Sequence, residues 1–227
     1  MSEPKKTELY SCHVDLCARM VEFSGWSMPI FYSSVLKEHQ SVRDSVGVFD
    51  VSHMGNLVVM GRDAIDFLQR TTVNDVSRLK EGRGQYTLMC DENGGVIDDL
   101  LVYRLSDDKY FLCVNALNTT KCYNWLLSQV KLKLDVKVLN ESNKYSQLAV
   151  QGPKSLDSLL AVFTGSSRSQ IAELKYGQII STEWDGTKTY IARTGYTGEK
   201  GYEIYIQTGG VVGLWNELLE KDQVMPV

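Results

Sequence analysis

The chain has 227 residues and a mass of 25.6 kDa, with 43% hydrophobic and 23% charged residues, which fits a globular protein of one large or two modest domains and excludes a disordered or fibrous chain. Its 24 Lys and Arg against 28 Asp and Glu leave a formal charge of −4, so broad attraction to nucleic acid or to an anionic membrane is not expected. No apolar run approaches the about 20 residues of a membrane span, and the polar opening Met1–Glu8 lacks both the apolar core of a secretory signal and the basic character of a transit peptide.

In chain order, Leu16 to Phe31 mixes apolar and aromatic residues, and Pro29 makes Trp26 to Tyr32 an extended or turning segment. Val35 to Val42 reads as a short helix ended near Gly47. A strand at Gly55 to Met60 precedes a helix from about Asp63 to Leu68, with Asp63 in the first turn. Gln85 to Cys90 and Val96 to Tyr103 are strands, and Asp91-Glu92-Asn93-Gly94-Gly95 between them is a turn signal, so together they form a hairpin. Lys109 to Asn115 is a further strand, and Thr119 or Thr120 caps a helix carrying Tyr123, Trp125, Leu126 and Leu127. Leu132, Leu134, Val136 and Val138 alternate with charged residues, the period of a half-solvated strand.

After Tyr145 the pattern gives a strand at Gln147 to Val150, a Gly152-Pro153 turn and a helix near Ser155 to Phe163. Strands follow at Gln178 to Thr182, Lys188 to Arg193 and Gly201 to Gln207, then a helix at Val211 to Leu219. Short strands joined by short turns predict an α+β protein with mostly antiparallel sheets and disfavour a doubly wound parallel sheet. Domain boundaries are expected near residues 50 to 55 and 135 to 145, which makes the middle third an inserted domain.

Cys12, Cys17, Cys90, Cys113 and Cys122 are odd in number and form no CxxC, so they read as buried small hydrophobes in a reducing compartment rather than as disulfides or a zinc site. His13, His39 and His53 are poorly spaced for a metal and read as structural, and nothing marks Ser52-His53 as part of a hydrolase triad.

The most informative run is Gly94 to Tyr103. Along a strand Asp98 shares a face with Leu100 and Val102, and Asp99 shares the other with Leu101 and Tyr103. A carboxylate on such an apolar stripe needs donors or acquires a raised pKa, which makes this a proton-handling or amine-binding candidate. The spacing by itself favours the simpler reading, that both aspartates finish the turn and face water. Gly195, Gly198 and Gly201 within Arg193 to Ile204 permit tight turns or close approach to a ligand, in neither a Walker loop nor a GxGxxG arrangement. Glu203 in the following strand could accept hydrogen bonds from an amino-substituted heterocycle, with an ordinary hairpin as the even alternative. Tyr86 and Asn115 could offer a ring and an amide to a flat polar ligand, although packing is the commoner role of each alone.

Phe23 to Pro29, Val48-Phe49-Asp50-Val51-Ser52-His53-Met54, Gly94 to Tyr103, Val150-Gln151-Gly152-Pro153 and Gly195 to Ile204 occur in an order that resembles the aminomethyltransferase, or T-protein, of the glycine cleavage system. The resemblance implies its folate-binding fold: a discontinuous first domain of residues 1–54 plus 139–227, an inserted middle domain of 55–138, and a C-terminal β-rich domain that the chain lacks, together with an arginine-bearing folate-site segment. It implies Asp98 as the catalytic folate-site carboxylate with Asp99 the lesser choice, and Met54, Tyr86, Val114, Asn115, Tyr196 and Glu203 around the pterin, Glu203 on its amide and amino edge. The implied reaction passes a methylene unit from the aminomethyl-lipoyl arm of H-protein to tetrahydrofolate and releases ammonia, coupled to P-protein and L-protein, without metal, nucleic acid or membrane. Its setting is the cytoplasm, or the mitochondrial matrix after removal of a transit peptide. The competing implications are a folate-binding relative in RNA modification, iron-sulfur maintenance or methyl metabolism, and a folate- or partner-binding fragment without turnover.

Overall fold

The computed structural model describes residues 3–227. The first elements are β1 (Lys5–Lys6), α1 (Tyr10–Asp15), β2 (Arg19–Phe23), β3 (Trp26–Phe31), α2 (Val35–Asp44) and β4 (Val46–Asp50). There follow β5 (Gly55–Met60), α3 (Ala64–Thr71), β6 (Arg83–Cys90), β7 (Val96–Ser106), β8 (Lys109–Val114), α4 (Thr119–Gln129) and β9 (Lys137–Asn140). The remainder comprises β10 (Tyr145–Gln151), α5 (Ser155–Val162), α6 (Gly165–Glu173), β11 (Ile179–Trp184), β12 (Thr187–Ala192), β13 (Gly201–Gln207), α7 (Val211–Leu219) and β14 (Val224–Pro226). These form two compact units, one of residues up to His53 with Lys144–Tyr176 and Ile180–Val227, the other of Met54–Asn143 with Gly177–Ile179.

In the first unit a six-stranded sheet runs β11-β12-β13-β10-β4-β14. It is antiparallel at β12–β13, β13–β10 and β10–β4, and parallel where β14 joins β4. Leu148, Val150, Ile191, Ile204 and Ile206 project from one face into a core with Leu159, Ile171, Leu214 and Trp215 of α5 to α7. The central strand β10 is buried along its whole length, so its polar Gln147 and Gln151 must find partners on the opposite face. A small sheet, β1-β3-β2, holds the Trp26 to Phe31 segment extended, as Pro29 leads one to expect.

Helix α2 runs past Val42 to Asp44, and Gly47 lies inside β4 rather than ending the helix. Ser34 caps α2, and the buried Glu38 carboxylate accepts the N–H groups of Tyr32 and Ser33 at 2.9 and 2.6 Å. Another buried network fastens the N-terminal segment to β4. Asp50 Oδ2 accepts from Thr7 Oγ1 at 2.7 Å and lies 2.9 Å from His13 Nε2, while the Tyr32 hydroxyl is 2.8 Å from His13 Nδ1. Ser52 donates its N–H to Asp50 and its hydroxyl to the Gln147 carbonyl, both structural bonds.

The second unit is a five-stranded antiparallel sheet, β6-β7-β8-β5-β9. Leu57, Val59, Leu100, Val102, Leu112 and Val114 pack on one face with Phe67 and Leu68 of α3 and Cys122 and Leu126 of α4. The predicted strand over Leu132–Val138 is corrected: regular pairing begins only at Lys137, and Leu132 is fully exposed. The preceding backbone is used elsewhere. The Asp135 N–H donates to Asp63 Oδ2 at 2.8 Å, and the Asp135 carbonyl sits where a side chain on Gly61 (φ +127°) would stand. Asp63 thus ties that segment to the start of α3 instead of capping the helix with its side chain. Neither Thr119 nor Thr120 caps α4, whose N-cap position is Asn118.

The cysteines are free, but only Cys113 and Cys122 are buried; Cys17 is exposed, which corrects the expectation for it. Among the described residues no helix is long and apolar enough to cross a membrane.

Candidate functional site

The hairpin of β6 and β7 decides where the two aspartates point. Its turn is held by Asp91 Oδ1, which accepts from the N–H groups of Asn93 and Gly95, both at 2.9 Å. Beyond it Cys90 pairs with Val96 but Met89 pairs with Asp98, so Ile97 is one residue extra on β7, a β-bulge. From there Asp98 points to the helix side of the sheet and Asp99 to the other.

Asp98 does not face water: it is 3% exposed, which overturns the simpler reading for that residue. Its Oδ2 accepts from the Asn115 backbone N–H at 2.8 Å, and its Oδ1 from Asn115 Nδ2 at 2.9 Å and Asn118 Nδ2 at 2.6 Å. The Cys122 thiol lies 3.7 Å from Oδ2, and burial, with the Asp98 carboxylate next, pushes its pKa up to about 12. Asp98 therefore pins the β8–α4 turn with protein donors alone, the compensation a buried carboxylate requires.

Asp99 is exposed. Its carboxylate accepts from the Tyr86 hydroxyl at 2.8 Å and from Asn115 Nδ2 at 3.0 Å. The first of these bonds raises the Tyr86 phenol pKa and keeps it protonated. Tyr86 is itself 61% exposed. Of the other residues expected here, Met54 is half-buried and accepts from Asn56 Nδ2 at 3.3 Å through its carbonyl, whereas Val114 is fully buried in the core on the helix side. The structure thus brings Tyr86, Asp99 and Asn115 into one hydrogen-bonded group, open to solvent at Tyr86 and Asp99.

In the first unit a second polar group lies on the sheet face away from α5 to α7. Glu203 on β13 pairs with Ala149 on β10 and is 6% exposed. Gln147 Nε2 donates to its Oε1 at 3.0 Å and Thr194 Oγ1 to its Oε2 at 2.5 Å. Burial nevertheless raises its pKa, with these two bonds in opposition. Tyr196 is 60% exposed and its ring stands edge-on to Phe49 at 5.6 Å; desolvation and then the Glu203 charge raise its pKa.

Of the glycines in the 193–201 loop, Gly198 has the positive φ of a tight turn (+82°), and Gly195 and Gly201 allow a close approach. Side chains at Gly195 and Gly201 would stand 2.1 and 2.2 Å from the buried Gln151 amide. Gln151 Oε1 accepts from Thr197 Oγ1 at 3.0 Å, and Arg43 clamps the loop from outside through the Thr197 carbonyl at 2.8 Å and Glu199 at 2.9 Å. The close approach at Gly195 and Gly201 is thus to Gln151. Gln147, Gln151, Thr194 and Asn118 were not singled out from the sequence. The available signal was a pair of glutamines four apart, Gln147 and Gln151, flanking the apolar run Leu148 to Val150.

Among the described residues no group of three His, Cys, Asp or Glu could hold a metal ion. Residues 9–227 match the family model described as the GCVT N-terminal domain. The chain belongs to this family. It is 43% identical over 222 residues to the aminomethyltransferase of Staphylococcus carnosus (strain TM300), covering 98% of this chain and 60% of that protein. To the aminomethyltransferase of Halothermothrix orenii it is 45% identical over 216 residues, covering 95% and 59%. The crystal structure of glycine cleavage system aminomethyltransferase T from Bartonella henselae superposes with a TM-score of 0.89 at 33% identity, covering 98% of this chain and 59% of that one. The α+β architecture with mainly antiparallel sheets is therefore that of the family, and the chain spans about 60% of the length of these relatives.

Proposed function

We propose that this chain binds a reduced folate and that the accessible carboxylate of its aspartate pair, Asp99, is the one that meets the reacting nitrogen. The observation that carries this is the contrast within the pair: Asp98 has protein donors on both oxygens and is buried, while Asp99 stands open beside Tyr86. The role that the resemblance assigns to Asp98 is better served one residue on. Asp98 becomes a positioning residue that fixes Asn115, whose amide also reaches Asp99.

Glu203 is buried like Asp98 and has one protein donor on each oxygen, yet burial still raises its pKa, which leaves its carboxylate short of donors such as the amino and amide edge of a pterin. An ionised carboxylate accepts two parallel N–H bonds, and a buried one with a raised pKa gains most from such donors. Each unit also carries an exposed ring suited to a flat ligand, Tyr86 in the second and Tyr196 in the first.

The finer reading is transfer from an aminomethyl group held by sulfur on the lipoyl arm of H-protein. The C–S bond breaks, the carbon joins tetrahydrofolate as the 5,10-methylene bridge, ammonia leaves and the sulfur returns to the thiol, with no net redox. Asp99 would hold the attacking N–H and take up its proton as the new C–N bond forms, a contribution of positioning and charge stabilisation. P-protein and L-protein would act before and after this step, in the cytoplasm.

The alternative, folate binding without turnover, shares the first half of this reading. The experiment measures tetrahydrofolate binding calorimetrically under anaerobic conditions and, separately, ammonia release from aminomethylated H-protein. Asp99→Asn is expected to keep folate affinity within severalfold and to lose about a hundredfold in transfer. Equal transfer by wild type and Asp99→Asn would reject the role of Asp99. Folate binding with no transfer by the wild-type chain would select the binding-only alternative.

A further inference from the structure

Within the first unit the loop between β12 and β13 is gripped from outside by one side chain of α2. Arg43 Nη1 donates both to the Thr197 carbonyl at 2.8 Å and to Glu199 Oε1 at 2.9 Å, while its Nε donates to His39 Nε2 at 3.4 Å, one helical turn back. The two acceptors flank Gly198, whose φ of +82° turns the chain there, so the guanidinium spans the turn from residue 197 to residue 199. With 38% and 29% of their side chains exposed, Arg43 and Glu199 are partly withdrawn from water.

What the loop carries gives this grip a consequence. Glycines at 195, 198 and 201 allow the segment wide backbone freedom, which must be lost before a side chain on it has a fixed place. Glu203 depends on the grip less, since it lies within β13 and is bonded to Gln147 of β10. Tyr196 depends on it more, with a ring 60% exposed that meets Phe49 edge-on at 5.6 Å. The residue after it, Thr197, is fixed from both sides: its hydroxyl donates to the buried Gln151 amide at 3.0 Å and its carbonyl accepts from Arg43. Phe49 stands on β4, the strand that directly follows α2, so one stretch of chain holds both the backbone beside Tyr196 and the edge of its ring.

We propose that Arg43 is a positioning residue for ligand binding by the first unit: its hold on Thr197 and Glu199 fixes the backbone that presents the Tyr196 ring, and so sets the affinity for a reduced folate. This rests on the folate-binding reading above. An aromatic contact on a glycine-rich loop contributes to affinity in proportion to how far it is ordered before the ligand arrives.

The test titrates tetrahydrofolate anaerobically, by calorimetry, into wild type, Arg43→Met, Tyr196→Leu and the double variant, with thermal unfolding of each. Arg43→Met keeps an unbranched stem and removes the donors. It is expected to bind about fivefold or more weakly, the value of a well-formed ion pair, to unfold within about 4 °C of wild type, and to cost nothing further once residue 196 is Leu. Wild-type affinity of Arg43→Met, with or without a lowered unfolding temperature, overturns the inference, leaves the clamp a structural one and leaves folate binding standing. Equal losses from Arg43→Met in the presence and absence of Tyr196 also overturn it, because Arg43 then acts on binding without that ring. Should Arg43→Met unfold below the titration temperature, Glu199→Gln, which gives up the ion pair and keeps the Thr197 bond, carries the same comparison with the same outcomes. Absence of tetrahydrofolate binding by the wild-type chain overturns both this inference and the reading it rests on.

Discussion

Asp98 and Asp99 are adjacent in sequence and lie on opposite faces of one strand, the first 3% exposed, the second open to solvent and bonded to Tyr86. Their substitutions should therefore separate by kind of effect. Asp98→Asn replaces an acceptor facing two amide donors by a group that is itself half donor, and should lose about 1–3 kcal/mol of stability. Asp99→Asn, at an exposed position, should change stability by less than about 0.5 kcal/mol. Urea unfolding of the two variants checks this without any ligand, and equal destabilisation would contradict the partition.

Gly195→Ala and Gly201→Ala should each destabilise by about 1–3 kcal/mol, because the added methyl meets the buried Gln151 amide rather than open space. Gly198 is a useful contrast. Its nearest neighbour is Arg43 at 3.9 Å, so Gly198→Ala meets only the strain of its φ of +82°, worth about 1–2 kcal/mol. Thermal melts of the three variants test whether the loop is shaped by Gln151.

The Asp50 carboxyl should make the fold sensitive to acid. Burial alone would raise its pKa, but the bonds from His13, the Ser52 N–H and Thr7 together hold it below the ordinary value. A group depressed in the folded state contributes stability that is fully present above its unfolded pKa, about 3.9, and is lost as pH falls through the folded value. Asp50→Asn should lose on the order of 3 kcal/mol at pH 7, with His13 and Thr7 left short of an acceptor. It should also flatten the fall in stability below about pH 4, read from unfolding midpoints over a pH series.

Glu203 should have the opposite sign. Its raised pKa means that its contribution to stability is fully present below the unfolded carboxyl value and is lost as pH rises through the folded one. Glu203→Gln should accordingly match wild type near pH 4 and be the more stable at pH 8, while binding tetrahydrofolate more weakly. The same variant less stable at pH 8 than at pH 4, relative to wild type, would contradict this.

Much of the fold was legible because the period of two is plain where one sheet face is buried: Gly55 to Met60, Gln85 to Cys90 and Gly201 to Gln207 all lie in strands close to those expected. Leu132 to Val138 carries the same period without becoming a strand over most of its length, because Asp63 and Gly61 engage the Asp135 backbone, a contact 72 residues away in sequence. The ordered motifs identified the family, and Asp98, Asn115 and Glu203 do sit in hydrogen-bonded groups. Hidden from the sequence were the donors that saturate Asp98, since Asn118 meets it only after the β8–α4 turn closes, and the partner for which Gly195 and Gly201 stay bare.

The β-bulge at Ile97 has a consequence for reading other chains. Were Val96 and Cys90 followed by regular pairing, Asp98 would stand opposite Leu88, where Asp99 now stands. Transferring a role across this hairpin by aligning the two acidic letters is thus a question of parity: an offset of one residue carries the role through the sheet, from a carboxylate that a ligand can reach to one that the protein has already used.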